Sequence, residues 1–119
     1  MNNVDPETWV IIVLYQPHLE YSLKLVEICG QLQKKYNNIK FLKSIATKCI
    51  ENYQDIDCPG LLIYKGGELA HQFIPALSKM GGRKVNLLIV EFVLAAHDIT
   101  ETDLEEDPRE ELYRMKVDF

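Results

Sequence analysis

Residues 58–74, CPGLLIYKGGELAHQFI, predict a β-hairpin around which the rest of the chain can be arranged. Residues 61–64 form an apolar run of strand length. Gly66 and Gly67 supply a two-residue turn, because both tolerate the positive φ angles that tight hairpin turns need. The residues after the turn alternate in polarity, as expected of a second strand. Pro59 stands at the entrance of the first strand, where its missing N–H costs least.

The length and composition indicate one globular domain. The chain has 119 residues, of which 47% are hydrophobic and 26% are charged. These values support one core of ordinary size. No apolar run approaches the roughly 20 residues of a membrane-spanning helix. The N-terminus shows no basic region followed by an apolar one, so no secretory signal is expected.

The charge is concentrated at the C-terminus. Residues 98–119 contain nine acidic and three basic residues, whereas residues 1–97 contain nine acidic and ten basic ones. We therefore expect no nucleic-acid partner, since phosphate contacts need a basic surface. The three cysteines form no CxxC motif and the three histidines are scattered. We expect no disulfide scaffold, no metal and no cofactor, and a reducing compartment.

The order of predicted elements is strand, helix, strand, short helix, hairpin and helix. The apolar run WVIIVLY at residues 9–15 is typical of a central strand that is buried on both faces. A helical period follows from His18 to about Asn37, and residues 39–46 alternate as a second strand. The two strands and their helix form a right-handed βαβ unit. Residues 83–97 favour a long, widely buried helix.

This order resembles a thioredoxin-like α/β fold, with a mixed sheet, helices on both faces, and the first strand and helix missing. Residues 1–98 would form this N-terminally trimmed domain and residues 99–119 an acidic C-terminal tail. The resemblance implies that Pro59 is the cis-proline that faces the active-site corner of such folds, since an X-Pro bond adopts cis at a cost of only about 0.5–1 kcal/mol.

Several segments resemble the thioredoxin-like domain of the phosducin-like proteins, in particular the group that serves the cytosolic chaperonin. They are WVIIVLY at 9–15, FLKSIATKCIENY at 41–53, the hairpin at 59–73 and TDLEEDP at 102–108. The chain departs from the family pattern in two ways. Ser22 stands where the family carries a cysteine near the start of its first helix. The helical N-terminal region, which contributes much of the family's partner binding, is absent from this sequence.

The corner between the first strand and the first helix would be a degenerate active site made of Pro17, His18, Ser22 and Cys58. A thioredoxin-type enzyme needs a thiolate at a helix N-terminus and a second cysteine three residues on. The connection between the strand and the helix, residues 15–22, contains no cysteine. We therefore expect no catalytic residue, although an atypical oxidoreductase that uses a single thiol, Cys58 or Cys49, stays open as the alternative.

The resemblance implies a non-enzymatic cytoplasmic cochaperone. It would bind the cytosolic chaperonin and modulate the folding of substrates such as actin and tubulin, or the assembly of G-protein βγ dimers. The candidate partner-binding residues in the tail are Asp103, Glu105, Glu106 and Asp107. Their composition is equally typical of a solvated terminus. An adaptor unrelated to folding and a dimer formed through an exposed sheet edge are further possibilities.

Overall fold

A mixed four-stranded sheet forms the centre of the molecule in the computed structural model, which describes residues 6–101 and 107–109. The strands are β1 (Trp9–Tyr15), β2 (Ile39–Ile45), β3 (Gly60–Lys65) and β4 (Glu68–Phe73). Their order across the sheet is β2-β1-β3-β4. β1 pairs with β2 in parallel and with β3 antiparallel, and β3 pairs with β4 antiparallel.

Within residues 6–101, three α-helices accompany the sheet: α1 (Glu20–Lys35), α2 (Ala46–Cys49) and α3 (Leu87–Ala95). Short 3₁₀ turns lie at Asp55–Asp57, Ala76–Lys79 and Gly82–Lys84. α1 and α3 pack on one face of the sheet, where their apolar side chains share a core with alternate residues of β1 and β3. α2 covers part of the other face, where Ala46 packs with Leu14 and Leu62.

The predicted thioredoxin-like arrangement, a mixed sheet with helices on both faces, is confirmed. β1 lies at the centre because its residues are apolar on both sides. Ile11 and Val13 point into the core under α1 and α3, and Leu14 points to the opposite face. Between residue 6 and Trp9 no strand or helix is described, so β1 is the first element of the described chain.

Both long helices are shorter than the sequence predicted. α1 ends at Lys35. Tyr36 has an extended backbone, so the helix does not continue to Asn37 as predicted. α3 begins only at Leu87, because Asn86 acts as its cap and accepts the Ile89 N–H at 3.0 Å. This cap satisfies one of the donors that the first turn of a helix leaves unpaired, which is why asparagine is favoured there.

The hairpin of β3 and β4 forms as predicted. Gly66 and Gly67 have φ angles of 63° and 80°, the left-handed values that the two-residue turn requires. The Cys58–Pro59 and Ile74–Pro75 peptide bonds are both cis. They lie near one another, since the Ala76 N–H donates to the Pro59 carbonyl at 2.8 Å.

The proposed boundary at residue 98 stays a prediction. In the described part, Ile99 and Thr100 are buried against the domain before the chain continues into the acidic segment. Of the four candidate tail residues, Asp103, Glu105 and Glu106 lie outside the described residues. Among the described helices, none is both long enough and apolar enough to cross a membrane.

Candidate functional site

The corner between β1 and α1 is held together by the hydroxyl of Ser22. The side chain is completely buried. Its oxygen lies 2.7 Å from the Leu19 carbonyl and 2.9 Å from the Gln16 carbonyl, and accepts the Gln16 N–H at 3.2 Å. A small hydroxyl can satisfy several main-chain groups at once, which a buried corner needs. Ser22 therefore fixes the backbone at the position where the resemblance implied a cysteine.

Cys58 lies beside this hydroxyl, directly before Pro59. The thiol is buried, and its Sγ is 3.7 Å from the Leu14 carbonyl oxygen. Burial raises the pKa of the Cys58 thiol, although hydrogen bonds from Ser22 and from the Gln16 backbone act in the opposite direction. A raised pKa keeps the thiol protonated near neutral pH, and the protonated form is a poor nucleophile.

His18 lies on the exposed side of the same corner, next to the exposed Pro17. Its Nε2 is 2.9 Å from a carboxylate oxygen of Asp55, which belongs to a 3₁₀ turn 37 residues later in the chain. The Tyr21 hydroxyl reaches the Asp55 carbonyl at 3.4 Å. His18 thus fastens the corner to the loop before β3, with its side chain still open to solvent.

The structure therefore brings Pro17, His18, Ser22 and Cys58 to one corner, but it adds no second sulfur there. All three cysteines are free, with Cys29 on the buried face of α1 and Cys49 exposed at the end of α2. Burial raises the pKa of Cys29 to about 12, as expected of a packed structural thiol. Within residues 6–101 and 107–109, no group of three or more histidine, cysteine or acidic side chains is placed to hold a metal ion.

Comparison with known proteins identifies the family. No family profile matches the chain. The chain is 35% identical over 112 residues to phosducin-like protein 3 of Danio rerio, a match that covers 94% of this chain and 46% of that protein. It is 37% identical over 99 residues to phosducin-like protein 1 of Dictyostelium discoideum, covering 83% of this chain and 31% of that protein. This chain belongs to the phosducin-like family.

Further relatives agree with this assignment. Phosducin-like protein 3 of Mus musculus is 33% identical over 101 residues, covering 85% of the phosducin-like chain and 42% of the mouse protein. The chain thus spans less than half the length of these relatives.

The acidic segment of the phosducin-like chain leaves the domain at a buried carboxylate. Glu91 of α3 is 4% exposed, and its Oε2 lies 2.7 Å from Lys35 Nζ. The Tyr36 hydroxyl donates to the same oxygen at 2.8 Å and lies 2.9 Å from the Glu101 carbonyl. The Thr100 hydroxyl donates to the Glu91 carbonyl at 2.6 Å. These contacts fix the chain up to residue 101.

Asp107, the one described member of the four tail candidates, pairs with Arg109. The Asp107 carboxylate accepts the Arg109 N–H at 2.8 Å and its Nε–H at 2.9 Å and 3.0 Å. These bonds hold the pKa of Asp107 below its usual value, although partial burial opposes them. Arg109 also donates to the Lys79 carbonyl, so this part of the segment contacts the turn after β4.

Sequence reasoning missed the partners on which this geometry depends. Glu91 looks like a solvent contact within an apolar helix, yet it is buried and paired. The only local signal is a charged residue inside the run LLIVEFVLA. Nothing in the sequence around Asp55 indicated a contact with His18, because the two residues lie in distant parts of the chain. A single charged residue within an apolar helix indicates a buried ion pair or hydrogen bond, because a buried charge needs a partner.

Proposed function

We propose that this phosducin-like chain is a non-enzymatic, cytoplasmic cochaperone domain that binds the cytosolic chaperonin. In this role it modulates the folding of chaperonin substrates such as actin and tubulin, or the assembly of G-protein βγ dimers. Because the chain spans less than half of its relatives, the proposal concerns the domain itself. The domain acts as a rigid platform that presents loops and the acidic segment to partners.

One observation carries the non-enzymatic part of the proposal: the corner holds a buried serine where dithiol chemistry would need a reactive cysteine. The buried Ser22 hydroxyl makes hydrogen-bonding contacts with the main chain of Gln16 and Leu19. The neighbouring Cys58 is buried, with a raised pKa. A single protonated thiol without a resolving partner turns over poorly in disulfide exchange. In this proposal, Ser22 and Cys58 stabilise the backbone of the corner and take no part in thiol chemistry.

The acidic segment supports the partner-binding part. Asp103, Glu105, Glu106 and Asp107 form a dense group of negative charge next to an almost neutral domain. Such a group attracts a basic partner surface and accelerates encounter more than it strengthens the final complex. The Tyr36 hydroxyl lies 2.9 Å from the Glu101 carbonyl, so the chain is held to the domain up to residue 101, the last described residue before this group.

The decisive experiment measures binding of the full chain to purified cytosolic chaperonin at increasing ionic strength. Binding is expected to weaken strongly with salt, because the screening length falls from about 10 Å at 0.1 M to about 3 Å at 1 M. The variant D103N/E105Q/E106Q should associate more slowly. A matched control, E20Q/E51Q/E68Q, removes the same charge from exposed positions of the domain and should leave the rate almost unchanged. No binding by the full chain contradicts the proposal.

The alternative, an oxidoreductase that uses a single thiol, is favoured by one observation: Cys49 is exposed. Alkylation of the native protein tests it. We expect Cys49 to react at the rate of an ordinary accessible thiol, and Cys29 and Cys58 to react only after unfolding, since the thiolate is the reactive form and burial suppresses it. Rapid labelling of Cys58, or turnover of a disulfide substrate with an electron donor, contradicts the non-enzymatic assignment.

A further inference from the structure

The acidic segment contacts the domain again at Arg109. The Arg109 guanidinium donates from Nη1 to the main-chain carbonyl of Lys79, the last residue of the 3₁₀ turn after β4. The Arg109 side chain is 24% exposed, and that of its partner Asp107 is 21% exposed. Charged side chains at a protein surface are usually much more exposed. Residues 107–109 are therefore held against the domain and do not extend freely into solvent.

The shape of this contact is set by Asp107. Its carboxylate accepts the backbone N–H of Arg109 at 2.8 Å, which is the hydrogen bond of a helix N-cap. Pro108 stands between them at the first helical position, where proline is favoured. The same carboxylate accepts both the Nε–H and an Nη2–H of the guanidinium, and such a bidentate pair fixes the direction in which the guanidinium points. We call these bonds, together with the contact to Lys79, the Arg109 anchor.

A separate set of bonds attaches the chain just before the acidic group. The Tyr36 hydroxyl lies 2.9 Å from the Glu101 carbonyl, and the Thr100 hydroxyl donates to the Glu91 carbonyl at 2.6 Å. Thr100 is buried. We call these contacts the Glu101 anchor. It joins the chain to the end of α1 and to α3, whereas the Arg109 anchor joins it to the turn after β4, so the two anchors hold the segment at different elements of the domain.

The residues between the two anchors carry most of the candidate binding group. Asp103, Glu105 and Glu106 fall within residues 102–106, which we call the acidic stretch. From residue 101 to residue 107 a chain can span at most about 20–22 Å. The three carboxylates are thus confined near the domain, whereas those of a chain attached at one end only would sample a much larger volume. Confinement lowers the conformational entropy that is lost when a partner binds.

We propose that the Arg109 anchor makes the acidic stretch a loop attached at both ends, and that this loop docks as a unit on a compact basic patch of a folded partner. The inference rests on the proposed function, since it takes the acidic stretch as a partner-binding group, and it adds the conformation in which that group binds. Arg109 and Asp107 act as positioning residues. The span of about 20–22 Å sets the width of the patch that the loop can cover.

Binding kinetics distinguish this arrangement from an acidic tail without the Arg109 anchor. Encounter with a basic surface depends mainly on the net charge of the segment, so its rate is nearly the same for a loop and for a tail. Dissociation depends on how much order the complex imposes on the chain. Loss of the anchor at constant charge should therefore leave the association rate constant almost unchanged and raise the dissociation rate constant. A factor between about 3 and 15 is expected, the upper value being the loop-closure factor for six residues.

Two variants break the Arg109 anchor without a change in net charge. Arg109→Lys retains the charge and removes the planar fork that a bidentate pair requires. D107N/R109Q removes one acidic and one basic group together. The matched control is Arg83→Lys, which makes the same exchange at an exposed arginine outside the anchor, whose guanidinium lies over the Tyr21 ring. All three variants should stay folded, because they leave the core unchanged, and thermal unfolding checks this.

The first measurement needs no partner. A protease that cleaves after glutamate is added to the native full chain, and mass spectrometry follows cleavage after Glu105 and Glu106. Cleavage inside an anchored loop tracks the fraction of molecules in which an anchor has opened. We expect cleavage to be at least about tenfold faster in the two anchor variants than in the wild type, because a bond between charged groups is lost, and unchanged in the control. Cleavage after Glu51, an exposed residue elsewhere in the domain, is the internal reference.

The second measurement records association and dissociation of the same chains with purified cytosolic chaperonin. Faster cleavage and faster dissociation of the two anchor variants, at an unchanged association rate, support the inference. Equal cleavage in the wild type and the anchor variants, unchanged dissociation, or a control that behaves like the anchor variants overturns it and leaves the proposed function standing. If the wild-type chain does not bind the chaperonin, the proposed function fails, and the docking role of the loop fails with it even where cleavage shows that the anchor holds.

Discussion

The Tyr36 hydroxyl donates a 2.8 Å hydrogen bond to the buried carboxylate of Glu91 and thereby joins the end of α1 to the middle of α3. The two residues are 55 positions apart in the chain. Burial of the carboxylate is tolerated because Lys35 and Tyr36 both contact it. Burial and the bond to Glu91 also raise the pKa of the Tyr36 hydroxyl, so that the hydroxyl stays protonated and able to donate.

Removing this hydroxyl should destabilise the domain. We expect Tyr36→Phe to lower the free energy of unfolding by about 1.5–3 kcal/mol, because the carboxylate loses a donor that acts on a charged group. Urea unfolding followed by the fluorescence of Trp9 measures the change. Tyr64→Phe is the matched control, since no hydrogen bond is described for its hydroxyl, and it should stay within about 0.5 kcal/mol. Equal effects of the two variants would refute the role of the pair.

Ser22 should be required for the corner to keep its shape. Ser22→Ala leaves the buried Gln16 N–H without its acceptor at 3.2 Å, which should cost about 1–3 kcal/mol of stability. Ser78→Ala is the control, because that hydroxyl is exposed and, among the described residues, hydrogen-bonds to the Pro75 carbonyl alone. If thermal unfolding shows no difference between the two variants, the serine does not hold the corner.

The stability of the domain should decrease in mild acid through His97. Burial lowers the pKa of His97 from its ordinary value of 6.5, and His71 and Lys79 add to the shift while Asp98 opposes it. The His97 ring lies 4.5 Å from that of His71 and 5.3 Å from that of Phe73, centroid to centroid. The unfolded chain binds the proton more tightly than the folded one. The stabilisation that comes from keeping His97 neutral is therefore complete above the pKa that His97 has in the unfolded chain. It is lost as the pH falls through the pKa that His97 has in the folded chain.

Urea unfolding at about pH 7.5 and at about pH 5.5 brackets the titration range of histidine and measures this effect. The wild type should be less stable at the lower pH. In His97→Gln the difference between the two values should shrink, even though the loss of ring contacts lowers stability at both. An unchanged difference would mean that other groups cause the acid sensitivity.

Two glycines should respond oppositely to the same substitution. Gly30→Ala should raise stability by up to about 1 kcal/mol, because alanine is favoured within a helix and the added Cβ meets no neighbour. Gly60→Ala places a Cβ 2.5 Å from the Tyr53 hydroxyl and 3.2 Å from Ile74 Cγ1. Overpacking there should cost about 1–3 kcal/mol. Thermal unfolding measures the stability of both variants. If the Gly60→Ala variant is as stable as the Gly30→Ala variant, the packing around β3 is not tight.

The elements with a strong local pattern were predictable. The run from Trp9 to Tyr15 is apolar at every position, which is typical of a central strand, and Gly66 and Gly67 accept the positive φ angles that a tight turn requires. The ends of the helices were harder to predict from the sequence. Asn86 caps α3 through its side chain, and this local signal was available but was outweighed by the apolar run that follows it.

The corner was predicted in its members but not in its contacts. Pro17, His18 and Ser22 are neighbours in sequence, so their proximity follows from one strand-to-helix connection. The approach of Cys58 depends on the antiparallel pairing of β3 with β1, which the family resemblance supplied. The Asp55 contact with His18 could not be foreseen, since nothing local to either residue indicates the other.

By itself, the sequence determined the kind and order of the elements, because hydrophobic periodicity and turn chemistry act over a few neighbouring residues. It also determined the absence of a CxxC motif at the corner. Only the tertiary structure decided that Glu91 is buried against Lys35 and Tyr36, and that the Gln33 side chain bonds to the backbone of β2 at Ile39 and Phe41. These features depend on how α1 lies across the sheet, and the free energy that sets this position comes from contacts between residues far apart in the chain.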